Sequence, residues 1–152
     1  MAIRNIMTEE NPVLRQKSRE VVLFDDRLFE LLDDLNDTLH HANGAGIAAP
    51  QVGVLRRICL VEVVKGELYE LINPVIKRSS GKQVCEEGCL SIPGRSGKVE
   101  RPKKMTVEAF DRYGKKRSYT VTGYAAVAFS HEIDHLDGVL YVDKLVLDEG
   151  EA

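Results

Sequence analysis

Five consecutive residues, His131-Glu132-Ile133-Asp134-His135, have the types and spacing to hold a metal ion and to activate water on it. A helix turns about 100° per residue, so positions i and i+4 lie nearly in line, one turn apart. Both imidazoles can then reach one cation, with Glu132 beside a water bound to it. Two ligands do not complete a catalytic site, which usually takes three from protein and keeps a position for water. The motif therefore demands a third ligand from elsewhere in the chain.

The residues after the motif do not supply it. His135-Leu136-Asp137-Gly138-Val139-Leu140-Tyr141 begins like the metzincin pattern, but Tyr141 stands where that pattern has its third histidine. The other zinc-peptidase arrangement takes a glutamate from a later helix, and only Glu149 and Glu151 follow, on an acidic stretch with no helical pattern. Upstream, Cys89 lies beside Gly88 in a stretch rich in glycine and proline, where the backbone can approach another element closely. A thiolate is a good ligand for zinc or ferrous iron. Cys85 is its rival, since residues four apart on a strand share a face. From the residues alone Cys89 is favoured and Cys85 stays open. Cys59, inside an apolar run, reads as a buried inert thiol.

The whole chain bounds these readings. Its 152 residues, 43% hydrophobic and 30% charged, suit one globular domain over 1–152, with 147–152 a solvated acidic tail. A net charge of −3 gives no support for a nucleic-acid-binding surface. No apolar run approaches the roughly 20 residues needed to cross a bilayer, and the N-terminal stretch lacks the apolar core of a signal peptide. Three cysteines are an odd number and argue against a disulfide framework. A cytoplasmic protein with no membrane partner is expected.

The motif residues need elements to position them. Residues 12–14 read as extended. Leu28, Leu31, Leu32, Leu35 and Leu39 recur at helical spacing, with Asp25 or Asp26 to cap the start and Gly44 to stop the end. His40 and His41 point in different directions on such a helix and suit its C-terminal turn, not a metal. Gly44-Ala-Gly-Ile-Ala-Ala-Pro-Gln51-Val-Gly53 reads as a shaped loop whose backbone can approach a ligand, or as a mere connector. No Gly-Lys-Ser/Thr follows, so it is not a phosphate loop. Gln51 is its only long polar side chain. Strands are predicted over 57–64, over 68–72 with Asn73-Pro74 ending the run, and at 82–85; residues 86–94 read as irregular. A hairpin at 105–110 and 116–121 precedes a largely buried helix over 124–136, which Gly138 ends, and 139–145 reads as extended. The fold class is α+β: antiparallel strands and hairpins packed around a buried C-terminal helix that carries the motif, with one N-terminal amphipathic helix.

Three stretches, Gly44-Ala-Gly-Ile-Ala-Ala-Pro-Gln51, Glu87-Gly-Cys-Leu-Ser91 and His131-Glu-Ile-Asp-His-Leu-Asp-Gly138, resemble the three signature motifs of peptide deformylases, in that family's order. Asn73-Pro74 and Arg101-Pro102 extend the similarity through nearly the whole chain. The resemblance implies removal of the formyl group from the N-terminal formyl-methionine of newly made proteins. It implies Cys89, His131 and His135 as ligands of one divalent ion, Fe²⁺ first, with Zn²⁺, Ni²⁺ or Co²⁺ able to take its place. Glu132 is then general base and acid, and the Gln51 side-chain amide and the Leu90 backbone N–H are oxyanion donors. The backbone around Ala45 and Gly46 would pair with the peptide, with Glu87 and Gly88 also at the substrate. Tyr124, Val127 and Ala128 would form the methionine pocket, with Cys85 nearby; plain core packing is the competing reading for each of these singly. The partners implied are N-formyl-methionyl nascent peptides and a transient association with the ribosome.

Two departures stand out. Ser130 replaces a glutamine that often precedes the first motif histidine, which is expected to alter the surroundings of the ligands without abolishing activity. The chain also ends soon after the last helix, without the longer C-terminal helix of some members, so contacts made by such a tail are not implied here. Two other functions are compatible with the motif: a general metallopeptidase, and a non-catalytic metal-binding paralogue. Intact Glu132, Gln51 and Cys89 argue against the second.

Overall fold

The computed structural model describes residues 2–146; the acidic tail assigned to 147–152 lies outside them. Helix α1 spans Asp26–His41, and Asp25 caps it by accepting a hydrogen bond from the Leu28 N–H at 3.2 Å. Its leucines face inward, and Leu32, Leu35 and Leu39 are fully buried. Asn43, with φ of 55°, and not Gly44, takes the left-handed conformation that ends the helix. Asparagine tolerates this region because its short amide can bond locally.

The strands are β1 (Gly46–Ala48), β2 (Ile58–Val61), β3 (Tyr69–Ser80), β4 (Gln83–Cys89), β5 (Ile92–Arg101), β6 (Lys104–Phe110) and β7 (Lys116–Thr122). They form a five-stranded antiparallel sheet in the order β1-β2-β3-β6-β7 and a separate hairpin, β4-β5. Helix α2 spans Gly123–Leu136. This is a mixed fold of antiparallel sheets and two helices. Among the described residues no helix is long and apolar enough to cross a membrane.

Several local expectations are corrected. The glycine stretch at 44–53 is not wholly irregular: it holds β1 and a 3-10 turn over Ala49–Val52. Asn73-Pro74 does not end a strand. β3 runs through it, with a register shift against β6 between Ile72 and Val75. A bulge lets proline sit in a strand despite its missing donor, and Asn73, at φ 51°, turns its amide to the Val21 backbone N–H and C=O at 2.8 and 2.9 Å. Residues 86–94 are not irregular either, because β4 continues to Cys89 and β5 starts at Ile92. The segments at 12–15 and 141–144 are 3-10 turns and not extended.

One face of the large sheet, with Val61, Leu71, Met105, Val107 and Val121, packs on α2 through Ala126, Phe129, Ile133 and Leu136. Phe129 meets Tyr69 and Tyr119 edge-on, with ring centroids 5.2 and 6.4 Å apart. These residues use one stripe of α2, so the stripe bearing His131 and His135 faces the β4-β5 hairpin and β1. At the helix end Gly138 has φ of 75°, and a Cβ there would lie 2.5 Å from the Arg15 carbonyl oxygen. No other residue fits that crossing without moving the backbone.

Candidate metal centre

The i, i+4 spacing on α2 brings the two histidine rings to a centroid separation of 5.0 Å. The end of β4 brings Cys89 to them: its Sγ lies 3.4 Å from His135 Nε2. The ligand atoms of Cys89, His131 and His135 all lie within 4.8 Å of one another. A tetrahedral ion with bonds of about 2.0–2.3 Å spaces its ligands about 3.5 Å apart, so one thiolate and two imidazoles in this arrangement fit a single divalent cation. Cys85, on the same strand, is not in the group.

His131 is oriented from behind. Its Nδ1 hydrogen-bonds Glu87 Oε1 at 2.8 Å, which leaves Nε2 for a cation. Glu87 is held in turn by Arg101, whose Nε and Nη2 donate to its two oxygens at 2.7 and 2.9 Å. Arg101 Nη1 donates to Asp134 at 2.6 Å and to Ser130 Oγ at 3.2 Å. The departure at Ser130 thus makes it an acceptor for the arginine that supports the histidine. Burial opposes ionisation of Glu87, but Arg101 and His131 outweigh it and keep the carboxyl below its ordinary value.

Glu132 is buried beside the ligands. Its Oε2 is 3.9 Å from His131 Nε2, and its Oε1 has no hydrogen-bond partner among the described residues. Burial pushes its pKa up to about 7; His131 opposes that rise and Glu87 adds to it. Burial would lower the pKa of His131, but Glu132, Cys89 and Glu87 lift it to about 10. Burial and the neighbouring His131 push His135 well below its usual value.

Gln51 reaches the same place from the 3-10 turn after β1. Its Oε1 accepts from the Ala48 N–H at 2.9 Å, which fixes the amide's orientation because a backbone N–H can only donate. Nε2 therefore faces Ser91 Oγ at 3.1 Å and Cys89 Sγ at 3.7 Å. Gly46 lets β1 lie against α2: a Cβ there would sit 2.6 Å from Glu132 Oε2 and 2.8 Å from its Cγ. A Cβ on Gly44 would meet Leu90 Cδ1 at 2.9 Å. The close approaches that these glycines permit are to side chains of the site.

A cleft of about 260 Å³ opens over this group. Ala45, Gly46, Gln51, Glu87, Gly88, Cys89, Leu90, Tyr124, Val127, Ala128, His131 and Glu132 line it. Tyr124, Val127, Ala128 and His131 follow one helical face of α2, and Tyr124 is half exposed at the rim. β1 is an edge strand, with β2 on one side only. His135 is buried beneath the cleft and does not line it; neither does Cys85.

The family model described as polypeptide deformylase matches residues 3–150. This chain belongs to the polypeptide deformylase family. It is 51% identical over 146 residues to the peptide deformylase of Caldicellulosiruptor bescii, covering 96% of this chain and 87% of that protein. The crystal structure of a peptide deformylase from Legionella pneumophila superposes with a TM-score of 0.93 at 43% identity, over 95% of this chain and 87% of that one. The peptide deformylase of Thermotoga maritima superposes with a TM-score of 0.94 at 35% identity, over 97% and 100%.

Around the Cys89, His131 and His135 group stand Ser91, Arg101 and Asp134, which lie in the sequence motifs but were assigned no role from sequence. Arg101 had a signal. It follows the core residue Val99 by two, so it shares the inward face of β5, where a buried cation requires a carboxylate.

Proposed function

We propose that this chain, acting as one hydrolase domain, removes the N-formyl group from the formyl-methionine of newly made proteins, releasing formate. The observation that carries the reading is the convergence of Cys89, His131 and His135 beneath a cleft into which Glu132 and Gln51 project, in a member of this family. Cys89, His131 and His135 would hold a divalent ion, Fe²⁺ in our reading, with Zn²⁺, Ni²⁺ or Co²⁺ as substitutes. When bound, such an ion supplies Lewis acidity, lowering the pKa of a water and drawing charge from a carbonyl oxygen.

Glu132 takes a proton from the attacking water as the new C–O bond forms at the formyl carbon. It returns the proton to the methionine nitrogen as the C–N bond breaks, so that formate and a free amine leave. Gln51 Nε2 and the Leu90 backbone N–H donate to the developing oxyanion. The Gln51 amide is already aligned by Ala48 and Ser91, which limits reorganisation during the reaction. The edge of β1 at Ala45 and Gly46 offers backbone groups to an extended peptide, and pairing through backbone tolerates any sequence. Tyr124, Val127 and Ala128 provide apolar surface for the methionine side chain, and Glu87 and Gly88 flank the substrate. Cys85, near Tyr124, would act from behind that pocket. In this reading the enzyme works in the cytoplasm on formylated nascent chains, in transient association with the ribosome.

The test is formate release from a formyl-Met peptide by anaerobically purified protein, with metal analysis of the same sample. Formate with an intact peptide backbone is expected, and so is loss of activity on chelation. Cleavage of internal peptide bonds would replace this reading with a general metallopeptidase. A second prediction concerns β1. Gly46→Ala must displace Glu132, and a misplacement of about 1 Å costs about a hundredfold in rate. A fall of that order in kcat/KM, with metal content unchanged, is expected; wild-type activity would show that Glu132 tolerates the shift.

A further inference from the structure

Tyr141 stands where a metzincin would place its third histidine, yet neither the metal ligands nor the cleft lining include it. It is nonetheless 2% exposed, and its ring stacks on that of His131 with centroids 6.1 Å apart and planes 25° from parallel. It also belongs to the apolar cluster of Leu14, Ile92, Val99 and Leu140, against which Cys89 packs. We propose that Tyr141 is a positioning residue for the metal ligands, holding the His131 ring and the Cys89 thiol from the side away from the cleft. The inference rests on the metal-site reading above.

The hydrogen bond that His131 Nδ1 makes to Glu87 Oε1 fixes the ring at one atom and does not by itself stop it tilting about that bond. A flat neighbour on the ring face removes that freedom. The turn presenting the tyrosine is itself pinned. Asp143 accepts from the Leu140 N–H at 3.0 Å and pairs with Arg15, and Lys144 Nζ lies 3.0 Å from Asp134 on α2. The Tyr141 hydroxyl is buried with no hydrogen-bond partner among the described residues. The contact with His131 is made by the ring.

The experiment titrates metal-free full-length chain with Co²⁺, followed by thiolate-to-cobalt absorption, and records the melting temperature of each metal-free form. Tyr141→Phe is expected to bind within about twofold of wild type. Tyr141→Leu should bind about 10- to 100-fold more weakly, as when other groups that orient ligands are removed, with a changed absorption band. Leu14→Ala, a cavity in the same cluster, should melt lower yet bind Co²⁺ as wild type does. Should Tyr141→Leu not fold, Tyr141→Met keeps a long apolar chain without a flat ring and carries the same comparison. Wild-type affinity in the ring-removing variant overturns the proposal. Equal weakening by Leu14→Ala reduces Tyr141 to core packing and overturns it too. Tenfold weakening by Tyr141→Phe would assign the role to the hydroxyl instead. A wild-type chain that binds no Co²⁺ sinks the metal reading along with this one.

Discussion

Glu132→Gln is expected to lower formate release by about 10²- to 10⁴-fold, the usual contribution of a positioned general acid–base group, while the bound metal stays at the wild-type level. Glutamine keeps the volume that packs beside Gly46 but cannot take up a proton. The proposed ligand atoms belong to Cys89, His131 and His135, so Glu132→Gln leaves that set untouched. The glutamate is also a poor fit for stability. It is buried with Oε1 unpartnered among the described residues, and burial pushes its pKa up to about 7. The metal-free variant should therefore melt no lower than wild type, as when a residue kept for chemistry is replaced. Turnover within tenfold of wild type would remove Glu132 from the proton-transfer role. Loss of metal together with activity would make its role structural.

Arg101→Ala should cost about 3–5 kcal/mol of stability, the usual penalty for leaving one member of a buried ion pair alone. For a chain of this size that corresponds to a melting-temperature fall on the order of 10 °C. Glu87 would remain buried, with His131 its one remaining ion-pair partner among the described residues. The pair Arg101→Met with Glu87→Met removes both charges and should recover most of the stability, since apolar replacements of buried pairs are often neutral. It should not recover metal affinity, because nothing then orients His131 Nδ1. A double variant that regains both would show that the Arg101–Glu87 pair serves the fold and not the metal centre.

Much of the fold was legible where one physical signal acted alone. The leucine period of α1, the apolar length of α2 and the alternation of β6 and β7 each mark an element whose burial is one-sided or complete. Legibility failed where two signals competed. At Asn73-Pro74 the proline argues for a strand end, but a register shift and the Asn73 amide bonding to Val21 carry β3 through. Around Cys89 the glycines and prolines argue for irregular backbone, but pairing of β4 with β5 prevails. Gly44 and Gly46 were visible as permissive positions; that they admit the side chains of Leu90 and Glu132 depends on how helix and strand cross.

The sequence by itself determined the chemistry of the ligands. His131 and His135 must share a helical face because their spacing is four, and Tyr141 in place of a histidine sends the search for a third ligand upstream. Between Cys85 and Cys89 the residues left a choice, since strand periodicity puts both on one face. Tertiary structure decided which thiol meets the histidines, because it sets Cys89 Sγ beside His135 Nε2 and leaves Cys85 outside the group. It also decided that Arg101, Ser130 and Tyr141 stand behind the proposed ligands. Those contacts join residues 29, 14 and 10 positions apart or more, and no local periodicity records a neighbour supplied by another element.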